Sequence, residues 1–282
     1  MPTLLSLGHG YSAQALARLL VAQGWRVLGT TRDPAKADGF RAEGVTPVLW
    51  PDEVAAALGE ATHLLTSVSP TGRTDPVLDR FGADIAAIAP RLDWAGYLST
   101  TGVYGDRDGG WVDEESALDP STERGKARVA AEAAWRTVPG LPLHIFRLAG
   151  IYGPGRGPFE KVRNGTARRI IKQGQVFSRI HVDDIAQVLA ASIARPRPGA
   201  VYNLCDDDPA PPQDVLAHAA DLLGLPRPPE VAFEDAEMSA MARSFYAESK
   251  RVRNERIKEE LGVRLIHPDY RSGLAAMLSE GT

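Results

Sequence analysis

The apolar run Thr3-Leu4-Leu5-Ser6-Leu7 breaks at Gly8-His9-Gly10, and Ala15, Leu16, Leu19 and Leu20 follow at helical spacing. A buried strand that passes through two glycines straight into a helix leaves the chain few folds. Gly8-His9-Gly10-Tyr11-Ser12-Ala13 fits G-x-G-x-x-A. One glycine permits a tight turn, one lets the backbone approach a bound group, and the small residue lets helix pack on strand. Free N–H groups and the dipole at such a helix start favour an anion. The stretch therefore predicts a dinucleotide diphosphate site containing Gly8, Gly10, Tyr11 and Ser12. A chance tight turn in an α/β protein is the competing reading.

The rest of the chain keeps the same rhythm. Gly24 ends the first helix, and residues 25–30, 45–49 and 63–68 read as strands with alanine-rich helical stretches between them. A helix around 79–89 leads to a strand ending at Leu98, and a helix over about 125–135 precedes a strand at 143–148. Residues 180–182 then lead to a helix over 185–194. Strands alternating with helices imply an α/β fold with a doubly wound parallel sheet. The expected division is a Rossmann domain over 1–150 and 178–204, with a smaller, interleaved substrate lobe over 151–177 and 205–282. Ser67, closing the fourth strand, joins the predicted cofactor set.

About 20 residues beyond the glycines, NAD sites place a carboxylate on the ribose hydroxyls. This chain has Thr30-Thr31-Arg32 there, with Asp33 one step later. A carboxylate repels a 2′-phosphate, whereas a guanidinium can hold it with two hydrogen bonds. Arg32 thus predicts NADP(H) over NAD(H). The alternative is a solvent-facing arginine beside an Asp33 turned outward.

Composition narrows the function classes. With 282 residues, 44% of them hydrophobic, the chain can bury a sizeable core. A net charge of −4 argues against a general nucleic-acid or membrane-surface role. Cys205 is the only cysteine, which excludes an internal disulfide and a thiolate metal cluster, and no other spacing suggests a metal. No apolar run approaches membrane-spanning length, and the first residues lack the basic region of a signal peptide. The expected location is the cytoplasm.

Four segments, 97–105 (YLSTTGVYG), 147–154 (RLAGIYGP), 180–186 (IHVDDIA) and 201–204 (VYNL), resemble in order and spacing those of extended short-chain dehydrogenase/reductases, the family of UDP-sugar epimerases and dehydratases. The resemblance covers nearly the whole chain and implies the Rossmann fold. In that family one helix carries a Tyr followed by Gly, a Lys four residues on and a Glu four further. The Tyr exchanges the proton, and the Lys lowers its pKa and holds the nicotinamide ribose. Here Arg124 and Arg128 stand at the Tyr and Lys places, with Gly125 and Glu132 where expected. Positions i and i+4 share a helix face, so both guanidiniums are expected to face the cofactor site. Arginine does not exchange protons near neutral pH, and Lys126 lies on another face. Thr100 matches the family's serine place and keeps a hydroxyl for a substrate carbonyl. The pattern resembles an atypical subgroup that keeps the cofactor site and lacks the Tyr-Lys pair; residues 249–254 (SKRVRN) and 268–270 (PDY) resemble it too. Thr100, Arg124 and Arg128 are the candidate catalytic residues.

Seven cations lie between Arg156 and Arg179, against the single acid Glu160. In the family this region closes over the substrate, so Arg156, Arg179 and His181 form the candidate substrate-binding set and imply an anionic small molecule. A solvated basic face is the alternative. His181 reads as a proton donor or as a packed, hydrogen-bonded residue. Asp183 and Asp184 read as caps or charges for the helix that follows. Tyr104 and Tyr152 read as packing elements, Asp113-Glu114-Glu115 as an exposed loop, and the basic stretch 250–256 as leading into an ordinary surface helix that follows an Asn254 N-cap and ends at Gly262. Two functions fit these readings. One is an NADP-dependent oxidoreductase or epimerase-like enzyme in which Thr100 polarises the substrate and Tyr104, His181 or water supplies the proton. The other is a non-catalytic NADP(H)-binding redox sensor.

Overall fold

The computed structural model describes residues 1–72, 74–279 and 281. Its central sheet has seven parallel strands: β1 (Thr3–Leu7), β2 (Arg26–Thr31), β3 (Val45–Leu49), β4 (His63–Thr66), β5 (Trp94–Thr100), β6 (Leu143–Leu148) and β7 (Val201–Leu204). The spatial order is β3-β2-β1-β4-β5-β6-β7. Strand order reverses between β1 and β4, and ligands of such sheets bind in the crevice outside the carboxyl ends at that point.

Successive side chains of β1 point to opposite faces, as a strand's period of two requires. Leu4 joins Leu16 and Leu20 of α1 (Tyr11–Ala22), which share a cluster with Ile185 and Leu189 of α7 (Val182–Ala194). Leu5 and Leu7 face the other way, into a cluster with Val54 of α3 (Val54–Glu60), Phe81 of α4 (Pro76–Ile88) and Trp135 of α5 (Glu123–Arg136). Between α1 and α3 lies the short α2 (Ala37–Ala42), which adds Phe40 to the first cluster. Each such side chain contributes about 1.5–3 kcal/mol when fully buried.

A third cluster forms the core of a smaller lobe. It joins Phe159 and Val162 of α6 (Phe159–Arg163), Val215 and Ala219 of α8 (Pro212–Leu222), and Leu274 and Met277 of α11 (Tyr270–Ser279). α9 (Ala240–Phe245) is short, while α10 (Glu255–Leu261) returns to the sheet, where Ile257 and Leu261 enter the first cluster. Three small parallel pairs tie the lobe and loops together: Gly150–Tyr152 with Arg179–His181, Arg169–Ile171 with Glu230–Ala232, and Trp111–Val112 with Arg251–Val252. Among the described residues no helix is long and apolar enough to cross a membrane.

Several boundaries differ from those read in the sequence. His181, not an aspartate, N-caps α7: its Nδ1 accepts the Asp183 amide at 3.3 Å. Asp184 is fully buried and accepts the amides of Ile266 (2.6 Å) and His267 (3.0 Å), so it anchors a distant loop. The helix read between Asn254 and Gly262 is α10, with Asn254 at its N-cap and Gly262 at its C-cap, while Arg251–Val252 before it is a strand. Asn254 occupies the N-cap position, but its amide instead donates to Cys205 O (2.8 Å) and Asp207 Oδ1 (2.7 Å).

Candidate functional site

The glycine turn sits at the switch point between β1 and β4. Gly8 has φ +78°, a conformation that favours glycine, and its N–H donates to Thr30 Oγ1 at 2.8 Å. A Cβ there would also lie 3.0 Å from Val68 Cγ2. The Ser67 hydroxyl donates to Gly8 O, so it fixes the turn against the end of β4. Gly10 begins α1 with no side-chain cap and no acid in the first turn. A Cβ on Gly10 would meet only Gly8 O, at 3.9 Å, leaving an open concavity beside the helix start. Ser12 is buried, and the Tyr11 hydroxyl donates to Pro154 O at 2.9 Å, tying the turn to the loop after Tyr152.

Arg32 is exposed one residue beyond β2. Asp33 is occupied locally: its carboxylate accepts the Ala35 amide at 3.0 Å and caps a short turn. An uncapped helix start, an open cradle and an exposed cation form a donor set that fits an anionic dinucleotide. The residue between the glycines, His9, is buried against Phe40, and burial lowers its pKa to about 4.

A cavity of about 630 Å³ opens at the carboxyl ends of β5 and β6, a size ordinary for a small-molecule site. Thr100 lines it. Its Oγ1 accepts the Gly102 amide at 3.2 Å, which leaves the hydroxyl proton to donate. Arg124 lines the same cavity from the first turn of α5 and lies 5.2 Å above the Phe245 ring. Gly125 lets that turn come close: a Cβ there would lie 2.8 Å from Gly102 O and 2.7 Å from Pro120 Cβ.

Arg128 behaves differently. Its guanidinium donates to Tyr97 Oη (2.9 Å), Leu98 O (2.8 Å), Val68 O (3.5 Å) and Ser69 Oγ (3.3 Å), so it clamps the ends of β4 and β5. Of the two guanidiniums expected to face the cofactor site, Arg124 lines the cavity, while Arg128 is held at Val68 and Ser69, next to the glycine turn. Lys126 is spent on Glu123 at 2.8 Å. Glu132, at the family's glutamate place, is 2% exposed. It accepts from Ser99 Oγ (2.5 Å) and, through both oxygens, from Arg147 (2.8 and 3.2 Å).

That buried group also holds Tyr104. Its hydroxyl accepts from Arg147 at 2.9 Å and donates to Asn203 Oδ1 at 2.7 Å, while burial pushes its pKa up to about 12. Glu114 is not in an exposed loop as expected. It is half-buried and accepts the Asn203 amide at 2.8 Å, and burial raises its pKa.

The basic stretch disperses. Arg156 is exposed, its guanidinium 5.8 Å above the Tyr11 ring. Arg169 pairs with Glu230 (3.0 Å), Lys172 donates to Tyr246 O, and Arg168 donates to Gly165 O (2.9 Å). Arg179 alone of the seven lines the cavity, and one nitrogen of its guanidinium donates to Phe177 O and Ala210 O, both at 2.9 Å. His181 is 1% exposed, and burial is the first cause of a pKa lowered to about 4. It packs on His267 with ring centroids 4.0 Å apart and on Tyr152 at 5.1 Å.

Sequence reasoning missed several groups. Lys250 and Glu248 line the cavity and pair with each other at 2.6 Å. Phe177, Phe245 and Tyr246 supply its aromatic wall. His181, Asp183 and His267 bring ligand-type atoms within 4.8 Å of one another. The sequence signal for the aromatic wall was the Phe245-Tyr246 pair; the histidine grouping joins distant parts of the chain and leaves no local signal.

No family model matches the chain. Protein YeeZ of Escherichia coli (strain K12) is 28% identical over 285 residues, spanning 95% of this chain and 97% of that protein. The structure of the human epimerase family protein SDR39U1 with NADPH has the same fold, with TM-score 0.79 at 19% identity and full coverage of both chains. A solved structure of a functionally unknown conserved protein from Silicibacter pomeroyi DSS is 62% identical over 99% of both chains, with TM-score 0.96. The chain belongs to the same family as that Silicibacter pomeroyi protein.

Proposed function

We propose that the chain is an NADP(H)-binding protein of the atypical extended short-chain dehydrogenase/reductase type, acting as an oxidoreductase or epimerase-like enzyme on an anionic small molecule. The observation that carries the reading is the uncapped start of α1 at the switch point, with Arg32 exposed nearby and the 630 Å³ cavity at the neighbouring strand ends. NADPH in the human relative of the same fold supports it. Gly8, Gly10 and the first amides of α1 would hold the diphosphate, and Arg32 the 2′-phosphate. When bound, the cofactor supplies or accepts a hydride.

The residues of the chain divide the remaining work. The Thr100 hydroxyl donates a hydrogen bond to a substrate carbonyl oxygen, and Arg124 holds substrate charge in the cavity wall. Tyr104 gives no proton near neutral pH, because its hydroxyl is bonded on both sides and its pKa is pushed up to about 12. His181 is uncharged there, with its pKa lowered to about 4. The proton that completes an alcohol therefore comes from water at the cavity mouth. The occupied guanidinium of Arg128 also favours a second reading, a redox sensor without turnover, because the Lys place offers no mobile proton. NADPH consumption with a panel of carboxylated and phosphorylated carbonyl compounds tests the choice. Turnover lost in Thr100→Ala supports the enzyme. Absence of turnover, with NADP⁺ and NADPH binding at different affinities, supports the sensor.

A further inference from the structure

The cavity wall carries three cations, and two of them already have protein partners. Lys250 is 9% exposed and its ammonium donates to Gly105 O and Glu248 Oε2, both at 2.6 Å. Arg179 donates from one guanidinium nitrogen to two backbone carbonyls. Among the described residues Arg124 has no hydrogen bond or ion pair; its contact is the face of Phe245, an aromatic ring left 47% exposed. A guanidinium stacked on a ring keeps its in-plane N–H groups free for a planar, two-oxygen acceptor.

Hydroxyls of Thr100, Thr101, Thr122 and Ser178 line one part of the cavity, and another part is apolar. Leu148, Ile151, Val176 and Val252 line it together with Phe177 and Tyr246, whose rings meet edge-to-face at 5.6 Å. A nucleoside diphosphate sugar would bring two phosphate charges to a wall in which only Arg124 is without a hydrogen-bonded protein partner among the described residues. Desolvating those groups without partners is costly. A single carboxylate is balanced by a single guanidinium, and a flat apolar body suits the aromatic wall.

We propose that this cavity takes an aromatic or conjugated monocarboxylate, with its ring against Phe177 and Tyr246 and its carboxylate on Arg124. This rests on the reading of the cavity as the substrate site of a cofactor-binding enzyme. It replaces a sugar nucleotide with a compact amphipathic acid as the substrate class.

Calorimetric titration of the full chain with trans-cinnamate, its neutral amide trans-cinnamamide, and UDP-glucose tests it without any turnover. Cinnamate is expected to bind, and the amide to bind about tenfold or more weaker, the loss of one charge-assisted interaction. Arg124→Met is expected to weaken cinnamate by a similar factor and to leave cinnamamide affinity and the melting temperature unchanged. UDP-glucose binding, with cinnamate not binding or indifferent to Arg124→Met, would overturn the proposal. NADPH is titrated separately. Binding of NADPH without binding of cinnamate refutes the substrate class alone, and binding of cinnamate without NADPH refutes the cofactor reading alone.

Discussion

Replacing Glu132 by Ala removes one half of a buried ion pair directly beneath the candidate site. The side chains of Glu132 and Arg147 are 3% and 4% exposed, and three donors converge on the carboxylate. After truncation the Arg147 guanidinium keeps Tyr104 Oη at 2.9 Å and a longer contact to Glu114 O at 3.4 Å, but loses its counter-charge. Breaking a buried pair from one side costs about 3–5 kcal/mol, while replacing both partners with apolar residues is often close to neutral. Glu132→Leu combined with Arg147→Met is therefore expected to be more stable than Glu132→Ala alone. Urea unfolding followed by tryptophan fluorescence measures this, since Trp94 and Trp135 are fully buried in the folded chain. A Glu132→Ala protein within about 1 kcal/mol of wild type, or a double variant less stable than the single one, would refute the reasoning.

Other outcomes follow from the same contacts. Gly125→Ala gains about 1 kcal/mol of helix propensity. It also sets a methyl 2.8 Å from Gly102 O and 2.7 Å from Pro120 Cβ, and overpacking of that kind costs about 1–3 kcal/mol. The expected result is a net loss of stability and a weaker grip on substrate, read by melting temperature and KM together. His9 has a folded pKa of about 4, below its ordinary 6.5. Its contribution is complete above 6.5 and is lost as pH falls toward 4, so a His9→Phe variant should lose less stability over that range. Asp206 works in the opposite sense. Burial raises its pKa to about 8 from 3.8, and among the described residues neither carboxylate oxygen has a hydrogen-bond partner. Its contribution is complete below 3.8 and is lost as pH rises through 8. Asp206→Asn should stabilise the chain by a few kcal/mol above that pH and change little in acid, as unfolding midpoints across pH would show.

The central sheet was legible because each strand announces itself locally. β1, β3 and β6 fall where the apolar runs place them, and β2 and β4 shift by a residue or two where polar ends such as Ser67 give no sharp boundary. The glycine turn was legible for the same reason: its residues are consecutive. The cavity was not. Its wall combines Thr100, Arg124, Phe177, and the neighbours Tyr246 and Lys250 from four separate stretches, and the short pair Trp111–Val112 with Arg251–Val252 that helps place Lys250 has too few residues to show a period. Charge direction was equally hidden. The cations of 156–179 share a segment but end on Tyr11, Glu230, Tyr246 and backbone carbonyls, because tertiary contacts decide where long side chains point.

Arg32 and the glycine turn are expected to bind a 2′-phosphorylated dinucleotide. Titrating NADPH and NADH against the wild type and Arg32→Glu, by quenching of protein fluorescence, measures that claim without any substrate. The wild type should prefer NADPH, and Arg32→Glu should erase the preference, with a loss for NADPH of about tenfold to a hundredfold and little change for NADH. Equal affinity for the two cofactors in the wild type, or a preference for NADH, would contradict it.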